Sequence, residues 1–184
     1  MQGTSRGLRK LSTALDKSAV PHMLIGGLAL AAYGRIRATL DVDLAIAASY
    51  EKTIELQRAL QKMGYQIPSP PNPDAPLFLV TDLKEMLEVE IWTKPDGVTF
   101  DKELLNRRVK VRPYGDNFEI FAIGPEDFVV NKLARADRGV QDEQDAVSVL
   151  KLQKDKLDYA YLKRRAKHAS VVELLDVLMS ASGS

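Results

Sequence analysis

The 184-residue chain contains no cysteine and only two histidines, His22 and His168. Disulfides and thiolate metal sites are therefore excluded, a zinc site is disfavoured, and a cytoplasmic location is expected. No apolar run reaches the roughly 18 residues of a membrane helix, and residues 1–20 lack the apolar stretch of a secretory signal. The net charge is only +1, so nucleic-acid binding would need a local patch. The basic run at residues 163–168 is either a solvated helix face or an RNA contact.

The residues that are present indicate a mixed α/β part followed by helices. Strands are predicted at residues 22–25, 41–47, 77–81, 86–93, 109–112 and 118–121. Helices are predicted at residues 4–17, 28–33, 50–63, 125–136, from about 141, and at 155–168 and 171–179. Five prolines make residues 68–76 a loop. We therefore expect an α/β (α+β) fold, with a mixed-sheet core over residues 1–124 and a helical C-terminal subdomain over residues 125–184.

An acidic pair follows a glycine pair: thirteen residues separate Gly26-Gly27 from Asp41-Val-Asp43-Leu. Side chains at i and i+2 of a strand point the same way, so Asp41 and Asp43 repel each other unless a cation lies between them. A divalent ion that prefers oxygen ligands, Mg²⁺, is the expected partner. Solvated acids on a strand edge are the alternative. The glycines form a tight strand-to-helix turn, expose backbone to phosphates, or do both.

Two-metal phosphoryl transfer uses a further acid from a neighbouring strand. Glu88 and Glu90 alternate with apolar residues and share one face of the predicted strand 86–93, although a plain solvent-exposed face has the same pattern. Glu90 lies in mid-strand, where an acid needs a partner. Lys132, on the helix that Pro125 begins, is either a functional residue or an ordinary lysine that packs its stem on apolar neighbours.

Charged residues near these candidates also have two interpretations. Arg35 and Arg37 precede the acids and are either counter-charges or contacts to phosphate or acceptor. Asp142 and Asp145 share a helix face, so they could form ion pairs that support either Lys132 or Arg138.

Taken together, these motifs resemble a known family. The Gly26-Gly27 and Asp41-Val42-Asp43-Leu44 arrangement is similar to the defining motif of the DNA polymerase β-like nucleotidyltransferase superfamily. Residues 37–44 (RATLDVDL) are typical of its minimal bacterial members, related to AbiEii-type abortive-infection toxins, and residues 124–134 with residues 138–145 resemble the helical motif of that group. The resemblance covers residues 23–150.

The resemblance implies an Mg²⁺-dependent enzyme that moves an NMP from an NTP to a hydroxyl acceptor and releases pyrophosphate. Its matching positions imply that Asp41, Asp43 and Glu90 hold two Mg²⁺ ions and that Lys132 takes part in catalysis. The implied nucleotide-binding residues are Gly26, Gly27, Arg37, Thr39, Lys132 and Asp145. The third acid of the family is more often aspartate, and Glu90 departs from that pattern.

The implied partners are a nucleoside triphosphate, an RNA such as tRNA or a protein as acceptor, and a cognate antitoxin, with no membrane. The alternative is a catalytically inactive binding or regulatory protein with the same fold.

Overall fold

A computed structural model of the chain describes residues 2–36 and 41–182. Its helices are α1 (Gln2–Lys17), α2 (Gly26–Ala31), α3 (Tyr50–Lys62), α4 (Lys102–Arg107), α5 (Pro125–Ala134), α6 (Val140–Leu152), α7 (Tyr159–His168) and α8 (Val172–Ser182). Its strands are β1 (His22–Leu24), β2 (Val42–Ile46), β3 (Leu77–Asp82), β4 (Leu87–Trp92), β5 (Val109–Val111) and β6 (Ile120–Ala122). None of the described helices is both long enough and apolar enough to cross a bilayer.

A mixed sheet joins the described strands in the order β3-β4-β2-β1-β6-β5. The hairpin strands β3 and β4 pair antiparallel, as do β5 and β6, and β1 and β2. The parallel pairs are β2 with β4 and β1 with β6. The mixed sheet that the sequence predicts is therefore present, and its parallel β2–β4 pair joins the two acidic segments.

Strand β4 shows why the sheet has one polar face near the site. Leu87, Val89 and Ile91 are buried in the core, while Glu88 is exposed and Glu90 is half-buried on the opposite face. On the core side, α1 buries its apolar stripe completely, as its helical periodicity predicts. The alternation in β4 therefore places Glu88 and Glu90 on the face opposite the core.

Helix α5 is the central element of the helical part. It follows β6 after a short connection and is buried at every position from Glu126 to Leu133. It packs against α6 and α7, and α8 packs against both of those helices. The change from mixed α/β structure to helices occurs at Pro125, and the division into two subdomains at that point stays a prediction.

The structure differs from the sequence-based assignment at several short elements. Helix α4 was not predicted, because only Leu104 of its six residues is fully buried and one buried position gives no periodicity. The Asp101 side chain begins this helix by accepting a hydrogen bond from the Leu104 N–H at 2.8 Å. Helix α7 begins at Tyr159 rather than near Asp155.

Candidate active site

The centre of the site is the acid pair, which we define as Asp43 and Glu90. Asp43 lies opposite Glu90 in the parallel register of β2 and β4. Burial, together with charge repulsion and a shared hydrogen bond from the neighbouring Glu90 carboxyl, raises the pKa of Asp43 to about 6. The structure therefore brings together two of the three predicted metal ligands, and they interact strongly.

Trp92 contacts the acid pair and was missed by the sequence analysis. Its indole Nε1–H donates to Glu90 Oε2 at 3.2 Å, and hydrogen bonding from the same indole lowers the pKa of Asp43. Trp92 lies two residues after Glu90 and so shares its face of β4. That spacing was the available signal, because an indole has a donor for a carboxylate within reach.

Gly26 is required by the position of Asp43. It begins α2 with a φ of 61°, in the left-handed region, and a Cβ added there would overlap the Asp43 carboxylate. The tight strand-to-helix turn expected from the sequence is therefore present. The buried Gly27 follows it inside α2. A role for these glycines in lining the triphosphate stays a prediction.

Lys132 reaches the same cleft from α5. The side chain is only 4% exposed, and its Nζ lies 2.8 Å from Asp142 Oδ1 and 3.3 Å from Asp145 Oδ2. Its positive charge also lowers the pKa of Asp43, although burial and Glu90 outweigh it. Lys132 is thus a cation held by two acids of α6, which is one of the two pairings expected from their shared helix face, whereas Arg138 pairs with Glu143.

Asp145 lies behind Lys132 and has no exposed surface. Its Oδ1 accepts a hydrogen bond from Gln141 Nε2 at 2.9 Å and lies 3.7 Å from an Arg35 nitrogen. The side chain thus orients Lys132 from within the helical part. Its implied contact with a nucleotide stays a prediction, and its complete burial favours the positioning role.

Arg135 was also missed by the sequence analysis. It follows α5 and lines the cleft together with Asp43, Trp92 and Lys132. Its guanidinium lies 6.0 Å from the centre of the Trp92 ring and makes a two-fold hydrogen bond to Asp137, at 3.0 and 2.9 Å. No sequence signal separates Arg135 from the other arginines of the chain, because its position depends on how α5 meets the sheet.

The remaining predicted residues do not all join this cleft. Arg35 turns away toward α6, where it donates to the Gln144 carbonyl at 2.6 Å and to Ser148 Oγ. Its role is therefore structural. Asp41 is an exposed residue directly before β2. The predicted nucleotide contacts Arg37 and Thr39 lie outside the described residues.

The donor atoms of the cleft decide whether a divalent metal ion fits there. Within residues 2–36 and 41–182, no three acidic or histidine side chains are grouped so that they could hold a metal ion. The acid pair nevertheless offers the carboxylate oxygens that Mg²⁺ prefers, and the raised pKa of Asp43 shows that Lys132 leaves its charge undercompensated. The pair fits the ion, and Asp41 as third ligand stays a prediction.

The basic run on α7 is largely paired within the protein. The ion pairs are Lys163 with Asp176 at 3.1 Å, Arg164 with Glu103 at 2.6 Å, and Arg165 with Asp101 at 2.6 Å. These contacts tie α7 to α8 and α4. Because the charges are compensated, the run supports packing between helices better than contact with an RNA backbone.

The chain matches a known protein family. A family described as "nucleotidyl transferase of unknown function (DUF2204)" matches residues 4–174. Among curated proteins, none matches at a significant level.

Three solved structures share the fold. ANT(2'')-Ia, described as an antibiotic-resistance factor, has 15% identity and a TM-score of 0.57, with 95% of each chain covered. An antigenic nucleotidyltransferase-like protein from Paracoccidioides brasiliensis has 18% identity and a TM-score of 0.57, covering 100% of this chain and 93% of its own. The lincosamide antibiotic adenylyltransferase LnuA has 14% identity and a TM-score of 0.50, covering 80% and 96%.

At identities this low, the solved structures show a common fold and no more, and they confirm the fold class predicted from the sequence. The predicted membership of the nucleotidyltransferase superfamily is also confirmed, whereas the relation to AbiEii-type toxins stays a prediction. Because the family match spans residues 4–174, this chain belongs to that nucleotidyl transferase family, and its predicted enzyme class is confirmed.

Proposed function

We propose that this protein is an Mg²⁺-dependent nucleotidyltransferase that moves an NMP from an NTP to a hydroxyl acceptor with release of pyrophosphate. The observation that carries the proposal is the acid pair, with Asp43 opposite Glu90 in the parallel β2–β4 register and Lys132 in the same cleft. Two carboxylates that repel each other beside a fixed lysine suit a cation and phosphate oxygens.

The metal would be held by Asp43 and Glu90, with Asp41 as the third ligand. When bound, Mg²⁺ supplies charge neutralisation at the phosphates and lowers the pKa of the acceptor hydroxyl. The chain must present both acids in the ionised form, and this requires a pH above the raised pKa of Asp43, about 6. Glu90 is longer than aspartate by one methylene, and Trp92 Nε1–H fixes where its carboxylate points.

Lys132 and Gly26 have distinct tasks in this proposal. Lys132 offsets the charge that builds on the phosphates, and Asp142 and Asp145 hold its Nζ in place, so little reorganisation is needed. Gly26 keeps space open against Asp43, because any side chain there would occupy the position of the carboxylate. The space between the side chains is about 10 Å³, which suits an ion, so the nucleotide itself would lie in the open mouth of the cleft.

The acceptor is proposed as a hydroxyl group. The neighbouring structures include an antibiotic-resistance factor and a lincosamide adenylyltransferase, which makes a small hydroxylated acceptor a proposal beside tRNA or a protein. The paired basic run of α7 argues against a large RNA footprint on that helix. We also propose a toxin–antitoxin role, which the resemblance implies, and a cytoplasmic location, where NTPs are found.

The test is transfer of label from each α-³²P-labelled NTP to total cellular RNA or to a lysate, with Mg²⁺ or with chelator. The wild-type protein is expected to label an acceptor and release pyrophosphate only with Mg²⁺. Glu90→Gln is expected to abolish labelling, whereas Glu88→Gln, an exposed acid on the same face of β4, is expected to retain it. Equal labelling by Glu90→Gln would contradict the proposal. NTP binding without any labelling would favour the inactive binding protein.

A further inference from the structure

A second cavity lies away from the acid pair, between α3, the proline-rich loop 68–76 and the start of β3. We call it the loop cavity. Its volume is about 230 Å³, large beside the roughly 30 Å³ that a water molecule occupies in the liquid. A small ring system fits in this space.

The described side chains that line the loop cavity are polar or apolar, and none of them is ionisable. The polar ones are Thr53, Gln57, Ser69, Asn72 and Thr93. Pro70 and Phe78 contribute flat apolar surface. A lining without charge gives no counter-ion for a phosphate or a metal, so the composition favours an uncharged ligand that forms hydrogen bonds.

Gln57 is the exceptional residue of this lining. It is 4% exposed, and its amide makes no hydrogen bond with any other residue in the described parts of the chain. The two threonine hydroxyls are satisfied instead, since Thr53 donates to the Ser49 carbonyl at 2.9 Å and Thr93 to the Pro76 carbonyl at 3.1 Å. The amide atoms of Gln57 are open to the cavity, where a ligand would supply the hydrogen-bond partner that the protein does not.

The wall opposite Gln57 is held in place. The Thr93 N–H donates to the Pro76 carbonyl at 2.8 Å, and Lys94 Nζ donates to the Pro73 carbonyl at 2.6 Å. Within the loop, the Asp74 N–H donates to Asn72 Oδ1 at 2.9 Å. These bonds anchor the loop to the end of β4, so the cavity is a built feature of the fold.

We infer that the loop cavity binds a neutral nucleobase, as a free nucleoside, with Gln57 as the residue that recognises it. The carboxamide of Gln57 offers a donor and an acceptor side by side, which matches the edge of a base that carries the complementary pair. Pro70 and Phe78 offer apolar surface to a planar ring, and the absence of charge leaves no place for phosphates. This site is independent of Mg²⁺ and of the acid pair.

The experiment uses the four common ribonucleosides as probes, with the full chain in chelator, followed by saturation-transfer NMR and calorimetry. At least one nucleoside is expected to bind saturably without Mg²⁺. Ribose and glucose serve as uncharged hydroxylated probes and are expected not to bind. Binding of ribose as strong as that of the nucleoside would overturn base recognition, and no binding of any nucleoside would leave the cavity as a water-filled space and overturn the inference.

Variants locate the site. Gln57→Leu is expected to weaken nucleoside binding by about tenfold or more, because the cavity loses its paired donor and acceptor. Gln61→Leu, an exposed glutamine on the same helix, and Asp43→Asn are expected to leave binding unchanged. Asn72→Leu removes a polar group of the lining and the acceptor of the Asp74 N–H, and is expected to weaken binding as well. Unchanged binding in folded Gln57→Leu, or loss of binding in Asp43→Asn, would overturn the assignment.

Discussion

The folded protein destabilises the ionised form of Asp43. Burial and Glu90 raise its pKa to about 6, and the opposing effects of Lys132 and Trp92 are smaller. An acid whose pKa is raised on folding binds more protons in the folded chain than in the unfolded chain between about pH 4 and 6. The free energy of unfolding therefore decreases as the pH rises from about 4 to 6 because of this residue, and it stays lower above pH 6.

The first prediction concerns Asp43→Asn without metal. At pH 7.5 the free energy of unfolding of this variant is expected to be about 1–3 kcal/mol higher than that of the wild-type protein. The variant is more stable because a neutral amide replaces an ionised acid beside Glu90. Urea unfolding followed by circular dichroism measures the difference, which should shrink toward pH 4. Glu88→Gln, exposed on the same face, is expected to change little. A less stable Asp43→Asn at pH 7.5 would contradict this explanation of the raised pKa.

The second prediction concerns Trp92→Phe. Phenylalanine keeps an aromatic ring in the cleft but removes the Nε1–H that donates to Glu90 at 3.2 Å. Because hydrogen bonding from the indole lowers the pKa of Asp43, its loss is expected to move the acidic limb of the pH–rate profile to higher pH and to lower the rate at pH 6.5 by about twofold to threefold. Thermal stability is expected to change little. A pH profile identical to that of the wild-type protein would show that the indole only packs.

At the scale of single residues, the sequence identified the acids but not their neighbours. Asp43 and Glu90 could be predicted because an i, i+2 acid pattern and strand alternation are local properties. Arg135 lines the cleft because α5 meets the sheet there, and no local pattern encodes that meeting. For Trp92 a local signal exists, since it lies two residues after Glu90 on the same face of β4. Glu88 could not be separated from Glu90 by alternation alone, and the structure leaves Glu88 in solvent.

At the scale of elements, α5 and α7 are joined through a buried acid. Asp127 on α5 accepts a hydrogen bond from the Tyr161 hydroxyl at 2.8 Å and lies 3.7 Å from Arg165 Nε. Burial raises the pKa of Asp127 to about 6, although the hydrogen bond from Tyr161 and the charge of Arg165 act to lower it. Asp101, which pairs with the same arginine at the start of α4, has its pKa lowered to about 2 by that hydrogen bond.

The third prediction separates the two acids by their pH windows. The raised pKa of Asp127 lowers the free energy of unfolding as the pH rises from about 4 to 6, whereas the stabilisation by Asp101 is lost as the pH falls from about 4 to 2. Asp127→Asn keeps an acceptor for the Tyr161 hydroxyl. Its free energy of unfolding, relative to the wild-type protein, is expected to rise by about 1–3 kcal/mol between pH 4 and pH 7.

Urea unfolding across this pH range measures the effect, with Asp155→Asn as an exposed acid control before α7. A relative stability of Asp127→Asn that falls with rising pH would contradict the sign of this shift.

Long elements such as α1 and α3 could be predicted because their periodicity is repeated over several turns. Helix α4 could not be, because six residues give one buried position and its role comes from the Asp101–Arg165 and Glu103–Arg164 contacts.

At the scale of the whole molecule, the helical part shares its core with the sheet. The Tyr33 hydroxyl after α2 donates to the Ile123 carbonyl beyond β6, and its ring meets Phe128 of α5 edge-on at 5.8 Å. Because α5 is buried throughout, both the surrounding helices and the sheet must cover it. The fold class could be predicted because strand and helix patterns change at Pro125, but this shared packing is a tertiary property.

The fourth prediction follows from that packing. The protein is expected to unfold in a single cooperative transition, with near-ultraviolet and far-ultraviolet circular dichroism giving the same midpoint in urea. Phe128→Ala is expected to lower the free energy of unfolding by about 3–5 kcal/mol, since the ring is completely buried between the two parts. Two separated transitions would instead support independent folding of residues 1–124 and 125–184.

The most direct measurement of the central claim uses the single tryptophan of the sequence, Trp92, which lies in the cleft with the acid pair. Trp92 emission is recorded while each NTP is added at pH 7.5, with Mg²⁺ or with chelator. We predict a saturable change with Mg²⁺ and an NTP together, kept in Glu88→Gln and lost in Asp43→Asn. An equal response in Asp43→Asn, or no response to any NTP with Mg²⁺, would contradict the placement of metal and nucleotide at Asp43 and Glu90.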